Sequence, residues 1–255
     1  MVNPNYTSNP TITRERAEID VGLQSHMSKV YALMSGAMII TGLVAYVVGM
    51  DFRAVVNEQP TTLIPASAIV AMFASPIKWV IMFAPLAFIF LFGATVSRMS
   101  TSTAQMVFWA FAAVMGLSIS WIFAVFTGMS IAQTFFVTAI AFGGLSIYGY
   151  TTKKDLSGWG TFLIMGVIGL IVASIINIFL ASPALMFAIS FLGVLIFAGL
   201  TAYDTQNIKN TYLYLRTQPG GEAMAEKAGI MGALSLYLNF LNMFMFLLQF
   251  MGSRE

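Results

Sequence analysis

One carboxylate, Asp204, stands inside an apolar stretch of membrane-spanning length; between Asp155 and Lys209 it is the only charged residue. An acid in the hydrocarbon core of a bilayer costs about 3 kcal/mol unless it faces a polar interior or a partner, which makes it a functional-site candidate by default. Two chemistries are open to it, exchange of a proton and donation of oxygen to a cation. Thr201 lies one turn before it, and Asn207 and Lys209 follow. A plainer role is therefore also open, that of an interfacial acid paired with Lys209 or Arg98. A second polar set lies in the last apolar run, GALSLYLNFLNMFMFLLQFMG, where Ser235, Asn239, Asn242 and Gln249 are offset by four, three and seven residues. At about 100° per residue these share one helix face. They are either hydrogen-bonding glue between helices, at about 0.6 kcal/mol each, or the lining of a site.

Other chemistries lack their residues. There is no cysteine, hence no disulfide and no thiolate for a metal or a nucleophile. His26 is the single histidine, lies before the first apolar run, and is expected to be solvated. An intramembrane aspartyl protease needs a second acid beside Asp204, a rhomboid-like serine protease a buried histidine, and a zinc protease a ligand cluster. A retinal protein needs a lysine within a span. None of these is present in the apolar runs, so no enzyme is expected. The formal net charge of +2 is too small and scattered to suggest a nucleic-acid partner.

The elements that must position these groups follow from composition. With 58% hydrophobic and 9% charged residues the chain is all-α and polytopic, with the lipid bilayer as its solvent. Residues 1–28 read as a polar, flexible cytoplasmic tail carrying a weak glycosylation sequon, Asn5-Tyr6-Thr7. Residues 29–255 hold seven spans, at about 30–50, 79–97, 104–126, 131–150, 158–180, 184–208 and 229–251. Pro60, Pro65 and Pro76 break the uncharged run after Glu58 into a loop, and Pro85 predicts a kink in span two. Gly36, Gly42 and Gly49, with Gly158, Gly160, Gly166 and Gly169, are expected at close helix contacts. The eighteen methionines read as lipid-facing and core filler, and Asn177, one turn after Ser174, as an interhelical hydrogen bond. Nine basic residues, including Arg98, Lys153, Lys154 and Lys209, fall on one side and three, Arg53, Lys78 and Arg254, on the other. The positive-inside rule then predicts a cytoplasmic N-terminus and an external C-terminus.

FAGLTAYDTQNIK at Phe197 to Lys209 and SLYLNFLNMFMFLLQFMG at Ser235 to Gly252 resemble the transmembrane Bax inhibitor motif family, the Bax inhibitor and YccA group. The resemblance implies six helices packed around a central seventh and a pH-sensitive calcium leak gated by paired aspartates of spans six and seven. It implies suppression of cell death in eukaryotic members and, for a bacterial relative, modulation of a membrane-bound AAA protease. The compact form suggests a bacterial inner membrane. Asp204 matches the span-six aspartate and Asn242 the asparagine of the span-seven pattern, whereas Asn239 stands where that pattern has its second aspartate. Arg98 corresponds to a span-two arginine that pairs with the span-six acid. Two acids in contact titrate as a coupled pair. Asp with Asn has one titrating group, and so predicts a shallower pH response. On this reading Asp204 and the amide oxygens of Asn239 and Asn242 form a constriction near the cytoplasmic end, with Asp204 a weak calcium ligand and calcium the permeating ion rather than a resident cofactor. The alternative is a non-conducting bundle that binds a membrane protease or another membrane protein.

Overall fold

The computed structural model describes the backbone of residues 10–254 and the side chains of residues 21–254 other than Ser97. The sequon at Asn5 lies outside the described residues. The chain forms α1 (Pro10–Val56), α2 (Ala66–Phe73), α3 (Ile77–Thr95), a 3-10 turn (Val96–Arg98), α4 (Thr101–Ile119), α5 (Ile122–Val125), α6 (Gly128–Thr151), α7 (Ser157–Leu180), α8 (Pro183–Arg216) and α9 (Gly221–Met251). Seven stretches of these helices are long and apolar enough to cross a membrane: Val21–Val56, Ile77–Thr95, Thr101–Val125, Gly128–Thr151, Ser157–Leu180, Pro183–Arg216 and Gly221–Met251. No strand occurs among the described residues beyond a lone bridge between Phe126 and Arg254.

Helix starts are written in the sequence. Ser100, Thr127 and Ser182 precede α4, α6 and α8, and each hydroxyl accepts the backbone N–H three residues on. This satisfies one of the first-turn donors that a helix leaves without partners. Pro183 follows at the first turn of α8, where its missing N–H costs nothing.

The ends differ from the sequence expectation in several places. Helix α1 begins at Pro10, well before residue 30, because polar residues at its start continue the helix beyond the apolar segment. His26 is correspondingly buried, its ring stacked on Tyr212 at 4.5 Å, and not solvated. The proline-broken segment after Glu58 contains the short helix α2, which starts directly after Pro65. Asp51 fastens that segment to the end of α1: its carboxylate accepts the backbone N–H groups of Thr62, Leu63 and Ile64 and the Thr62 hydroxyl, at 2.6–3.0 Å. Asn177 makes no bond to another span. Its Oδ1 accepts the Ser182 N–H at 3.0 Å and closes the turn between α7 and α8, where Ala181 is left-handed at φ 47°.

Helix α9 is the most buried of the seven, with 61% of its apolar window inside the bundle against 11–33% for the others. Its principal partners are α8, α1, α6 and α4, while α3 packs on α4 and α7 on α8. The centre expected at span seven is therefore present, but its inner ring is four helices, with α3 and α7 as an outer layer. Close approach rests on selected glycines. A Cβ on Gly149 would run into the Ala202 backbone of α8, and one on Gly49 would stand 2.6 Å from the Ser120 carbonyl oxygen. Gly160 and Gly166 likewise meet Tyr203 and Ile196, whereas Gly42, Gly158 and Gly169 face open space and take no part in close packing.

Candidate functional site

The α8–α9 pair is the most extensive helix contact of the bundle and holds the candidate site. Asp204 lies two-thirds along α8, partly buried, and Asn239 is buried in the middle of α9. Asn239 Nδ2 donates to Asp204 Oδ2 at 2.7 Å, which joins the two residues that the sequence singled out on separate helices. A bond of this kind to an ionised carboxylate is worth about twice a neutral one.

The other site residues stand elsewhere. Asn242 Nδ2 donates to the Leu238 carbonyl of its own helix at 2.8 Å, so its amide nitrogen is used within α9. Gln249, further along the stripe, accepts from the Ser190 hydroxyl of α8 at 3.4 Å, a weak contact that acts as glue. Asn239 and Gln249 of the stripe thus both face α8 and pair the two helices by hydrogen bonds. Arg98 is exposed on the 3-10 turn after α3, a helix whose principal partners are α2 and α4. It takes no part in the Asp204 contact. Nor does Lys209, whose Nζ donates to the Tyr150 carbonyl at the end of α6, 2.8 Å away. A cation there is favoured by the unpaired carbonyls and dipole of a helix C-terminus.

Around Asp204 the neighbouring residues of α8 build a scaffold that sequence spacing did not reveal. Thr205, next in the chain, lies 3.0 Å from the Ser146 hydroxyl of α6, which lies 2.7 Å from the Tyr31 hydroxyl of α1. Gln206 holds the turn between α6 and α7 with both ends of its amide, accepting the Leu156 N–H and donating to the Lys154 carbonyl, each at 2.8 Å. Asp204 is therefore carried on a helix segment whose next two residues are bonded to α6 and to the α6–α7 turn. A second polar node ties α1, α4 and α9. Thr41 Oγ1 donates to the Ala112 carbonyl at 2.8 Å and lies 2.6 Å from the hydroxyl of the fully buried Tyr237. Hydroxyls scattered among apolar residues carry no sequence signal of this kind, because which of them meet depends on helix rotation.

Two cavities open elsewhere in the bundle, neither lined by Asp204 or Asn239. An apolar cleft of about 890 Å³ runs between α1 and α6 and is walled by Tyr31, Gly42, Gly143, Ser146 and Phe240 among others. A more polar cavity of about 850 Å³ opens at the α8–α9 turn, where His26, Lys29, Arg216, Glu222 and Glu226 surround it. Among the described residues no group of three or more His, Cys, Asp or Glu side chains could hold a metal ion.

The family model described as inhibitor of apoptosis-promoting Bax1 matches residues 23–255, nearly the whole chain. The chain belongs to this Bax inhibitor family. Relatives match over nearly their full lengths. An uncharacterized protein of Caulobacter vibrioides is 44% identical across 99% of this chain and 98% of its own length. The uncharacterized protein RP147 of Rickettsia prowazekii is 40% identical across 98% of each. The inner membrane protein YbhL of Escherichia coli is 39% identical across 92% of this chain and 94% of its own. This Bax inhibitor family member is thus an integral, multi-pass membrane protein.

Proposed function

We propose that this family member is a calcium leak of a bacterial inner membrane, with the Asp204–Asn239 contact between α8 and α9 as its pH-sensitive gate. The observation that carries the reading is the 2.7 Å hydrogen bond between the one acid of the span-six run and a buried amide of the central helix. In this arrangement Asn239 turns its amide donor toward Asp204, so Oδ2 is not free for a cation. Calcium, which takes oxygen ligands in number, must first displace that donor. One carboxylate with neutral amides binds calcium weakly, which suits passage better than storage.

The same chemistry sets the form of the pH response. When Asp204 takes a proton, its hydroxyl becomes a donor, and a half-turn of the Asn239 amide presents oxygen to it. The contact survives protonation, whereas two facing acids repel once both are ionised. The gate therefore responds to pH over one titration and without a repulsive push. Calcium flux into dye-loaded proteoliposomes across a pH series tests this. The wild type is expected to leak with a shallow pH profile, Asp204→Asn to flatten it, and Asn239→Asp to steepen it. Identical profiles for wild type and Asn239→Asp would overturn the gate. Flux absent from wild type and present in Asn239→Asp would instead favour the second reading, a non-conducting bundle that acts through a membrane-bound partner such as an AAA protease.

A further inference from the structure

The cleft between α1 and α6 is walled mainly by apolar side chains, unlike the more polar cavity at the α8–α9 turn. Its walls run from Gln24 to Leu43 on α1 and from Phe135 to Tyr150 on α6, with Phe240 of α9 contributing to the wall. At 1.5 Å per residue the walls are roughly 28 and 22 Å long. One leaflet of hydrocarbon is about 15 Å thick, half of a core of about 30 Å. The cleft is therefore long enough for an acyl chain and too apolar for a column of water. Ile39 and Leu43 on one lip and Ile147 on the other are 61–66% exposed, so the cleft is continuous with the outer, lipid-facing surface of both helices.

Two glycines shape it. A Cβ on Gly42 or Gly143 would meet nothing within 4 Å, although both residues line the cleft. Neither glycine is required by a neighbouring helix. Each leaves space for something the chain does not itself supply. At the Tyr150 end the chemistry changes: Lys209 sits 5.3 Å from the Tyr150 ring, and the exposed Lys153 and Lys154 follow three and four residues on. Lys209, Lys153 and Lys154 outnumber the acids Asp155 and Asp204 on the adjoining segments, which favours negative charge just beyond the Tyr150 end of the cleft.

We propose that the α1–α6 cleft is a binding site for an anionic phospholipid of the surrounding bilayer, its acyl chain running past Gly143 toward Gly42 and its headgroup at Lys209, Lys153 and Lys154. A bound chain lies against Tyr31 and Ser146, whose hydroxyls connect to Thr205, the residue beside Asp204. Lipid occupancy thus bears on the α1–α6–α8 clamp. The site itself stands whether or not the protein conducts calcium.

The test is photo-crosslinking with phosphatidylglycerol carrying a diazirine in its acyl chain, in nanodiscs of unlabelled phosphatidylethanolamine, followed by peptide mapping. Wild-type protein is expected to label on α1 and α6 within the cleft. Gly42→Leu with Gly143→Leu fills the space and lowers that labelling by about tenfold, because an overfilled cleft leaves no room for a chain. Gly169→Leu, on α7 and also facing open space, leaves it unchanged. Unlabelled phosphatidylglycerol competes about tenfold better than phosphatidylethanolamine, the advantage that one or two basic residues near a membrane surface provide. Should the double variant fail to fold, as judged by its melting in detergent, Gly143→Leu alone serves. Labelling spread evenly over all lipid-facing helices, or undiminished in the filled variant, would overturn the site. Equal competition by the two lipids would overturn its anionic headgroup.

Discussion

Asn239 gives the candidate site its character, because its amide is the donor that faces the one acid of α8. Removing it leaves Asp204 in the bundle without the amide that now faces it. Asn239→Leu is expected to destabilise the protein by about 1–3 kcal/mol, the cost of a buried group left unsatisfied. Asp204→Leu with Asn239→Leu should cost clearly less than the sum of the single changes, since neither polar group then remains. Chemical unfolding of the four proteins in mixed micelles measures the coupling. Strict additivity would mean that the bond contributes nothing to the folded bundle. Asp204 and Asn239 were both legible as candidates from charge and helical spacing. Their pairing was not, since a 2.7 Å contact between residues thirty-five apart depends on the rotation and depth of two helices. The same lack of local signal hid the burial of His26: a lone histidine in polar sequence looks solvated until Tyr212 is brought over it.

At the level of elements, close crossings and turns decide how firmly the site is held. Helix α6 meets α8 at Gly149 against the Ala202 backbone, three residues from Ser146, which clamps Thr205. Gly149→Ala is expected to cost about 1–3 kcal/mol through overpacking, despite the better helix propensity of alanine. Gly169→Ala, which meets no neighbour, should be neutral or stabilising by up to about 1 kcal/mol. Melting in detergent separates them, and equal shifts would contradict the packing role of Gly149. The α6–α7 turn has its own pH dependence. Hydrogen bonds from Ser157 hold the exposed Asp155 carboxyl below its ordinary value. A lowered folded value means that the turn gains stability above the ordinary carboxyl range and loses it as pH falls through that range. Hydrogen exchange at Ser157 and its neighbours should therefore rise relative to the spans, after correction for intrinsic rate, as pH falls below about 4. An unchanged relative rate would remove Asp155 from the turn.

At the scale of the whole molecule, the distribution of basic residues and an odd number of spans make orientation a testable property. Reporter fusions at the turn between α8 and α9 and after residue 255 are expected to give opposite signals, cytoplasmic at the turn and external at the C-terminus. A cytoplasmic signal from the C-terminal fusion would reverse the positive-inside reading. The sequence by itself determined the seven apolar spans and the two helices that carry the candidate residues. Run length and isolated polar groups act locally or through the bilayer, so they are visible without neighbours. It also exposed the central role of α9, because a polar face in lipid must turn inward. Tertiary structure alone decided that Asn239 meets Asp204 while Asn242 turns to its own backbone and Arg98 stays outside. It also decided which glycines touch a neighbour and which line an open cleft. Those outcomes depend on the rotation of each helix about its axis and on its depth beside its partners, and a hydrophobic pattern broad enough to suit lipid on one side and protein on the other leaves both undetermined.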